Sequence, residues 1–270
     1  MTPRLPSSAP PSAARRRSPA PVFLLAGLFA LASAAGGGQD GEERVAQTLA
    51  GANQAYDGED FAAAIAGYRS LVAAGHDHPK LHYNLGNAYL RHGELGRAIA
   101  SYRRAAAGAP RDQDVRANLA FARKNARDAL APPEPPAGLR TVFAWHYALA
   151  PEELWLAAAL LNVALWSLLA LRLRRPAEGL SWSAVIAGVV LAACLGSLAA
   201  RAMAPLRIAV VLPREVDVRA AMQSDGVVRF KLHAGSEVRV REERDGWLRI
   251  RLPDGEQGWI EADAVEVVEL

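Results

Sequence analysis

The chain has 270 residues and a formal net charge of +3 at pH 7, and a charge so close to neutral does not indicate a nucleic-acid binder. Hydrophobic residues make up 51% of it. Because this excess is concentrated in three segments, the composition predicts a membrane protein with soluble parts. The single cysteine, Cys194, excludes an intramolecular disulfide.

The N-terminal segment, residues 1–34, is predicted to be a secretory signal peptide. Three arginines at 15–17 precede a short apolar run at 22–31, and the small residues 32–34 provide a cleavage site. The run is short for a membrane span, and an uncleaved anchor is the alternative. In either case the segment that follows is expected to be exported.

Residues 42–130 carry a repeat of about 34 residues. Small, apolar and aromatic residues stand at the spacing of a helix–turn–helix unit: Leu85, Gly86, Tyr89, Ala98, Tyr102, Ala105 and Pro110. A shift of 34 residues places Tyr68 under Tyr102, and the same shift places Asn53 under Asn87. The predicted units are two helix pairs and one closing helix: 42–75, 79–112 and 113–130. The pattern resembles the tetratricopeptide repeat, which implies an all-α domain that presents a concave face to a protein partner.

In repeats of this kind the first helix of each pair lines the concave face, and its polar residues are the predicted partner-binding residues. They are Asn53, Lys80, Tyr83, Asn84, Asn87, Arg91 and Asn118. For Asn84 and Asn118 the alternative role is a hydrogen bond to the backbone of a neighbouring helix that holds the repeats in register. Because the face is predicted to be exposed, replacing Asn87 and Arg91 by alanine is expected to leave stability nearly intact.

Two of these asparagines fall where carboxylate-binding repeats place theirs. Asn53 and Asn84 match that arrangement, but Leu49, Asp114 and Asn118 stand where its basic partners are expected. The sequence therefore does not favour capture of a C-terminal carboxylate.

Two long apolar segments follow a proline-rich linker and an aromatic interfacial segment at 131–150. The predicted transmembrane helices cover 154–171 and 182–203, and each is long enough to cross a bilayer. Three arginines lie in the connecting loop, 172–181, and the positive-inside rule places this loop in the cytoplasm. Both soluble domains are then expected on the other side. The alternative is a buried helical hairpin in a soluble protein.

The second predicted span carries small residues at intervals of four: Ala184, Gly188, Ala192 and Gly196. Such a ridge lets helix backbones approach closely. We expect it to pack against the first span, and a contact with another membrane subunit is the alternative. Asn162 is expected to find a hydrogen-bond partner inside the bundle, and Arg201 to extend to the outer interface.

The C-terminal residues 207–268 change to an alternating pattern with glycines near the predicted turns. About five short strands in a small antiparallel barrel are predicted. The pieces HAGSEVRV, DGWLRIRL and DGEQGWI make this segment similar to a bacterial SH3-like domain. Trp247 and Trp259 either close the barrel core or bind a ligand.

The motifs of common catalytic sites are absent, so the protein is expected not to be an enzyme and to use no cofactor. There is no glycine-rich phosphate loop, no Gly-x-Ser-x-Gly and no His-Glu-x-x-His. His76, Asp77, His78 and His82 are close in sequence, but we interpret them as a polar loop between repeats rather than a metal site. The fold class is therefore a multidomain membrane protein with an all-α repeat domain, two transmembrane helices and a small all-β barrel.

The order of these parts resembles the BatE proteins of the bacterial aerotolerance operon. The repeat sequence YNLGNAYLRHGELGRAIASYRRA followed by RANLAFAR carries most of the resemblance. It implies an inner-membrane scaffold with both soluble domains in the periplasm. It also implies protein partners, among them membrane proteins with von Willebrand factor A domains and a MoxR-type ATPase, and a role in oxidative or envelope stress. The alternative is a cell-wall adaptor whose SH3-like domain binds peptidoglycan peptides.

Overall fold

A computed structural model describes residues 38–128, 130–131, 138, 141, 143–175, 177–203 and 206–269, so the predicted signal peptide and part of the linker lie outside the described residues. The helices of the described part are α1 (Gly38–Asp57), α2 (Phe61–Ala73), α3 (Pro79–His92), α4 (Leu95–Gly108), α5 (Gln113–Lys124), α6 (Ala144–Ala148), α7 (Pro151–Arg174) and α8 (Glu178–Met203). The strands are β1 (Arg207–Val211), β2 (Glu215–Arg219), β3 (Val228–His233), β4 (Glu237–Arg244), β5 (Trp247–Arg251), β6 (Gln257–Glu261) and β7 (Val265–Glu269). Every element from α2 onward belongs to one compact unit, Val45–Leu270.

The helices α2, α3 and α5 begin and end at residues suited to those positions. Asp60 accepts a hydrogen bond from the Ala63 amide at the start of α2, at 3.0 Å. Asp112 accepts bonds from two amides at the start of α5. Helix α3 begins with Pro79 and is followed by Gly93, whose φ of 87° lies in the left-handed region that glycine adopts without strain. These local signals set the helix lengths before any tertiary packing.

Aromatic side chains fill the space between consecutive helices. Tyr68 and Tyr102 are almost completely buried, together with Ile99. A Cβ atom added at Gly86 would lie 2.7 Å from the Tyr102 ring. A glycine is therefore needed at position 86, because α3 and α4 cross closely there.

The closing helix is shorter than predicted. The sequence pattern favoured a helix over 113–130, whereas α5 ends at Lys124. Asp128 then accepts hydrogen bonds from the His233 amide and the Ser236 hydroxyl of the C-terminal sheet. A helix continued through Asp128 would take this carboxylate away from the sheet, so the tertiary contact stops the helix.

The helices α7 and α8 are 24 and 26 residues long, and by length and composition each is apolar enough to cross a membrane. They pack against each other as a hairpin. The buried residues at their contact include Leu154 and Ala158 of α7 and Leu191 and Cys194 of α8. Most other side chains of the two helices are exposed, so the hairpin covers little of its own apolar surface.

Two predictions about the interior of this hairpin are wrong. The contact face of α8 is formed by Ala184, Ala187, Leu191, Cys194 and Ser197. The predicted ridge of small residues lies on this face at Ala184 and then departs from it. Ala192 and Gly196 are exposed, and a Cβ atom added at Gly188 or Gly196 would meet nothing within 4 Å. Asn162 is also exposed, on the outer side of α7. A period of four drifts around a helix with 3.6 residues per turn, which explains the loss of register.

The C-terminal segment forms one antiparallel sheet of seven strands, in the order β3-β2-β6-β5-β4-β1-β7. The prediction of about five strands was too low. Strand β1 lacks an alternating pattern because residues 208–211 are buried on both faces. Ala209 and Val211 lie in the core of the sheet with Leu248, Ile250 and Ile260.

The other face of β1 packs against the helices. Val210 of β1 and Val268 of β7 lie in the same buried cluster as Ile99 and Tyr102. At the start of α4, a Cβ atom added to Gly96 would collide with the Val211 carbonyl oxygen. The helical region and the sheet therefore share a closely packed interface on the side of α4.

Candidate functional site

Asparagine and tyrosine side chains form a hydrogen-bond pattern that repeats along the helices. The Tyr68 hydroxyl donates to Asn53 Oδ1 at 2.8 Å. The Tyr102 hydroxyl donates to Asn87 Oδ1 at 2.7 Å. The two bonds are related by a shift of 34 residues, so the repeat in the sequence corresponds to a repeated contact in the structure.

A second set of bonds with the same shift connects successive first helices. Asn84 Nδ2 donates to Asn53 Oδ1 at 3.5 Å, and Asn118 Nδ2 donates to Asn87 Oδ1 at 2.9 Å. Asn118 also donates to the Tyr83 hydroxyl at 3.1 Å. These side chains hold neighbouring helices in register. The partners are side chains, not the backbone groups expected from the sequence.

The expectation that Asn87 can be replaced without loss of stability is corrected by this geometry. Its half-buried side chain accepts two hydrogen bonds, and one donor, Tyr102, is fully buried. Arg91 differs from it. It donates to Glu59 at 3.1 Å, and both side chains are more than half exposed. Its guanidinium also lies over the Phe61 ring, 4.8 Å from the centroid.

A cavity of about 290 Å³ opens between the first and second repeats. Its lining residues are Asn53, Tyr56, Asp57, Tyr68, Asn84 and Asn87. Three predicted site residues, Asn53, Asn84 and Asn87, thus meet at one opening. Among these described lining residues Asp57 supplies the one charge, and it is negative. Such a surface suits a ligand that donates hydrogen bonds or carries a positive charge.

The remaining predicted residues lie around this cavity without lining it. Tyr83 is half-buried, with its ring centroid 6.1 Å from that of Tyr102. Lys80 is exposed in the first turn of α3, and Arg91 lies exposed in its last turn. The two cations are therefore separated along the helix and do not form one basic patch.

Burial keeps the tyrosine hydroxyls of this network protonated. Burial, and next the charge of Asp57, raises the pKa of Tyr68 to about 12. Burial is also the main cause of a raised pKa at Tyr102. Both hydroxyls therefore remain hydrogen-bond donors to their asparagines at any pH in which the protein works.

The histidine-rich loop has no metal-site geometry. Among the described residues, no group of three or more histidine, cysteine or acidic side chains is placed to hold a metal ion. His82 is buried and bonds to Asp77 through Nε2 at 2.5 Å. Its ring takes a packing position between the helices.

Ionic contacts between the helical region and the sheet were not predicted, and they include a pair between Arg104 of α4 and Glu266 of β7. Glu237, only 5% exposed, accepts hydrogen bonds from Arg103 of α4 and from Arg123 of α5, the latter at 2.5 Å. Asp128 binds the His233 ring at 2.8 Å. Burial favours the neutral carboxyl of Asp128, but the bonds from Ser236 and His233 outweigh it and lower its pKa. In the sequence these residues are more than 100 positions apart, and no local pattern connects them.

The two tryptophans of the sheet lie outside its core. Trp247 and Trp259 are half-buried, and along β5 and β6 they alternate with the buried residues Leu248 and Ile260. The register places Trp259 between Arg219 of β2 and Arg249 of β5. Trp259 therefore lies on the face of the sheet away from the core, which favours ligand binding over closure of the core.

Comparison with protein families gives one match. Residues 214–266 match the bacterial SH3 domain family. The match covers strands β2 to β6 and the start of β7, and it leaves out β1. No curated protein matches the chain. The protein thus has a helical region, two apolar helices long enough to cross a membrane, and a C-terminal sheet with a bacterial SH3 domain, a module that fits binding of proteins or peptidoglycan.

Proposed function

We propose that this protein is a membrane-anchored scaffold of the bacterial envelope, and that it docks a protein partner on the helical region. The observation that carries the proposal is the open polar cavity beside Asn53, Asn84 and Asn87. The sheet packs on α4, whereas these asparagines belong to α1 and α3. The face with the cavity therefore remains accessible while the opposite side is covered.

The proposed topology has both soluble parts on the same, periplasmic side of the inner membrane. The packing of β1 and β7 on α4 supports it, because two parts that share a core cannot lie on opposite sides of a bilayer. A helical hairpin returns the chain to the side from which it entered. The arginines at 172, 174 and 175 lie at the connecting end and support a cytoplasmic location for that end.

The proposed partner segment is an extended peptide that carries a lysine or arginine. The Asp57 carboxylate is the main acceptor in the cavity, because Oδ1 of Asn53 and Oδ1 of Asn87 each already accept two internal hydrogen bonds. A charge-assisted bond from a basic side chain to Asp57 would contribute about 1.5–3 kcal/mol. A C-terminal carboxylate would instead be repelled by Asp57.

The test is partner capture by the full-length protein in its native membrane, after cross-linking and with quantification by mass spectrometry. Asp57→Lys reverses the charge at the cavity. It places a cation at the last residue of α1, where the helix dipole favours it. We expect capture to fall at least about tenfold, equivalent to about 1.4 kcal/mol. Equal capture by wild type and variant would exclude the cavity as the docking site.

The matched control is Asp225→Lys, which makes the same change on an exposed loop between β2 and β3. It should leave partner capture unchanged. A loss of capture with both variants would indicate a general effect of charge on the envelope complex.

The second candidate function is a cell-wall adaptor, favoured by the half-buried position of Trp259 on the face of the sheet away from the core. In this case the SH3-like domain binds peptidoglycan peptides and the helices recruit an enzyme. Because β1 is packed on α4, the full chain in detergent is the suitable sample, not the isolated sheet. Saturable binding to purified sacculi that is lost in Trp259→Ala would support the adaptor. Absence of binding would exclude it.

The partner proposed for the scaffold is a membrane protein with a von Willebrand factor A domain, acting with a MoxR-type ATPase in tolerance of oxidative or envelope stress. The support is the resemblance of the repeat sequence and of the order of parts to BatE proteins. The tetratricopeptide assignment of α1 to α5 is part of the same proposal. The cross-linking experiment identifies the partner directly. Recovery of unrelated proteins alone would reject this assignment.

A further inference from the structure

Asn162 lies exposed in the middle of α7. Eleven residues of the helix precede it and twelve follow, and charged residues mark both ends, Glu152 and Glu153 at the start and Arg172 and Arg174 in the last turn. When α7 spans a membrane, the Asn162 amide therefore lies near the middle of the hydrocarbon layer, where no water reaches it. A polar side chain at that depth is costly unless it finds a hydrogen-bond partner.

The Asn162 side chain has no hydrogen-bond partner within the described part of the chain. Two serines of the hairpin differ from it in this respect. Ser167 donates to the carbonyl oxygen of Val163 at 2.8 Å. Ser183 donates to the carbonyl oxygen of Gly179 at 2.9 Å. An asparagine carries both a carbonyl oxygen and two N–H groups, and because Asn162 is exposed, both are available to a neighbour of the hairpin.

The residues on the same side of α7 as Asn162 form a stripe of large and small side chains. Their spacings of three and four residues place them on one face of the helix. The Asn162 stripe consists of Trp155, Ala159, Asn162, Trp166 and Ala170, and all five are exposed. The two alanines leave room for another helix to approach closely, and the two tryptophans provide apolar area on either side of the amide.

The rest of the protein leaves the Asn162 stripe accessible. Trp155 lies near the start of α7, the end that contacts the helical region through the pair of Arg111 and Glu153, and it is still 62% exposed. The contact with α8 uses a different side of α7, where Leu154 and Ala158 are buried. The stripe is therefore a face of the hairpin that neither α8 nor the soluble parts cover.

A second copy of this chain supplies what the Asn162 amide lacks. Every copy inserts in the same direction, so the Asn162 of a second copy lies at the same depth in the membrane. The amide is also self-complementary: across a two-fold axis along the membrane normal, each Nδ2 donates to the other Oδ1, and two hydrogen bonds form together. A different membrane protein would need a polar group of its own on its outer surface at this depth. Equal depth and self-complementarity therefore both favour a second copy.

We propose that the Asn162 stripe is the interface of a homodimer in the membrane, with a pair of Asn162 side chains at its centre. This interface rests on the membrane insertion included in the proposed function. The dimer carries two copies of the cavity beside Asn53, Asn84 and Asn87, both on the same side of the membrane. A partner with two docking segments would then bind more tightly than a partner with one, because the second segment binds within the same complex.

The test measures energy transfer between full-length copies labelled at the C-terminus with donor or acceptor dyes, in phosphatidylcholine vesicles of increasing protein-to-lipid ratio. We expect transfer to rise with this ratio and to saturate at the level of a dimer. Asn162→Leu removes the amide but keeps a side chain of similar size that favours insertion. It should need about tenfold more protein per lipid for the same transfer, equivalent to about 1.4 kcal/mol. Equal transfer by wild type and variant, or no transfer by the wild type at any ratio, would overturn the homodimer.

Ser167→Ala is the matched control, since it also removes an exposed polar group of α7, but one that bonds to its own helix. It should leave the energy transfer unchanged. Cross-linking locates the interface in a background of Cys194→Ala, which removes the natural thiol. An oxidant should join copies that carry Ala159→Cys but not copies that carry Ala164→Cys, five residues further and on another side of the helix. Links from position 159 only to a different protein in native membranes would contradict the homodimer.

Extraction with alkaline carbonate separates failure of the interface from failure of the proposed function. Protein that stays in the membrane but shows no energy transfer would contradict the homodimer alone. Protein that alkaline carbonate releases from native membranes would contradict membrane insertion, and the interface with it.

Discussion

Replacement of Asn87 by alanine should destabilise the helical region, and the loss can be estimated from its two hydrogen bonds. The Tyr102 hydroxyl, on a fully buried side chain, loses its acceptor. An unsatisfied buried donor costs about 1–3 kcal/mol. The bond from half-buried Asn118 adds about 0.5–1.5 kcal/mol, because water replaces part of it. We therefore expect a loss of about 1.5–4.5 kcal/mol for Asn87→Ala.

The first repeat offers an internal comparison. Asn53 accepts the equivalent bond from Tyr68, but its side chain is exposed and water can take its place. Asn53→Ala should therefore cost about 1 kcal/mol or less. Asn87→Ala combined with Tyr102→Phe should recover part of the loss, since both partners of the buried bond are then removed.

The assay is hydrogen exchange of the α3 and α4 amides in the full-length protein, which reports local stability in a chain that need not unfold in one step. The free energy of opening should fall in the order wild type, Asn53→Ala, Asn87→Ala. A loss below about 0.5 kcal/mol for Asn87→Ala, with no coupling to Tyr102→Phe, would refute the assignment of Asn87 to the structural network.

Three further predictions concern the sheet interface and the topology. The pKa of the Asp128 carboxyl is lower in the folded protein than in the unfolded chain, so the stability that Asp128 contributes is present above about pH 4 and is lost as the pH falls through its folded-state pKa. The unfolding temperature of Asp128→Asn should therefore lack this loss of stability in acid. Gly96→Ala should loosen the sheet in limited proteolysis because the added methyl collides with β1, whereas Gly51→Ala, on an open helix surface, should stabilise by up to about 1 kcal/mol. Alkaline phosphatase fused after Asp128 or Leu270 should be active and after Arg175 inactive; activity after Arg175 would overturn the periplasmic assignment.

The spacing of residues in the sequence predicts the contacts inside one repeat unit. It does not predict the contacts between the repeat units and the C-terminal sheet. Gly86 and Tyr102 are 16 positions apart in one unit, so their packing follows from the 34-residue pattern. Arg103 and Glu237 are 134 positions apart, and an arginine on the second helix of a repeat has the pattern of a solvated surface. The docking of the sheet on α4 therefore has no signature in either segment alone.

The contact face of the α7–α8 hairpin could not be predicted from the sequence for a different reason. Small residues occur on two sides of α8, and the sequence alone does not say which side meets α7. The choice depends on the shapes that α7 offers: Leu154 and Ala158 pack against Leu191 and Cys194, so Ala184 and Ala187 belong to the contact face while Gly196 does not. In the sheet, alternating polar and apolar residues predict strands with one solvent-exposed face. Strand β1 does not show this alternation because both of its faces are buried.

The double burial of β1 has a consequence for the order in which the protein is made. Synthesis of α4 is complete at Gly108. Strand β7, which covers the apolar side of α4 together with β1, is complete only at Glu269, about 160 residues later. At about 5–20 residues per second, this interval lasts about 8–30 s. During that time the apolar side of α4 is not yet covered by strands β1 and β7. Maturation of the helical region therefore depends on synthesis of the C-terminal sheet, and a holding chaperone has a defined surface and a defined period in which to act.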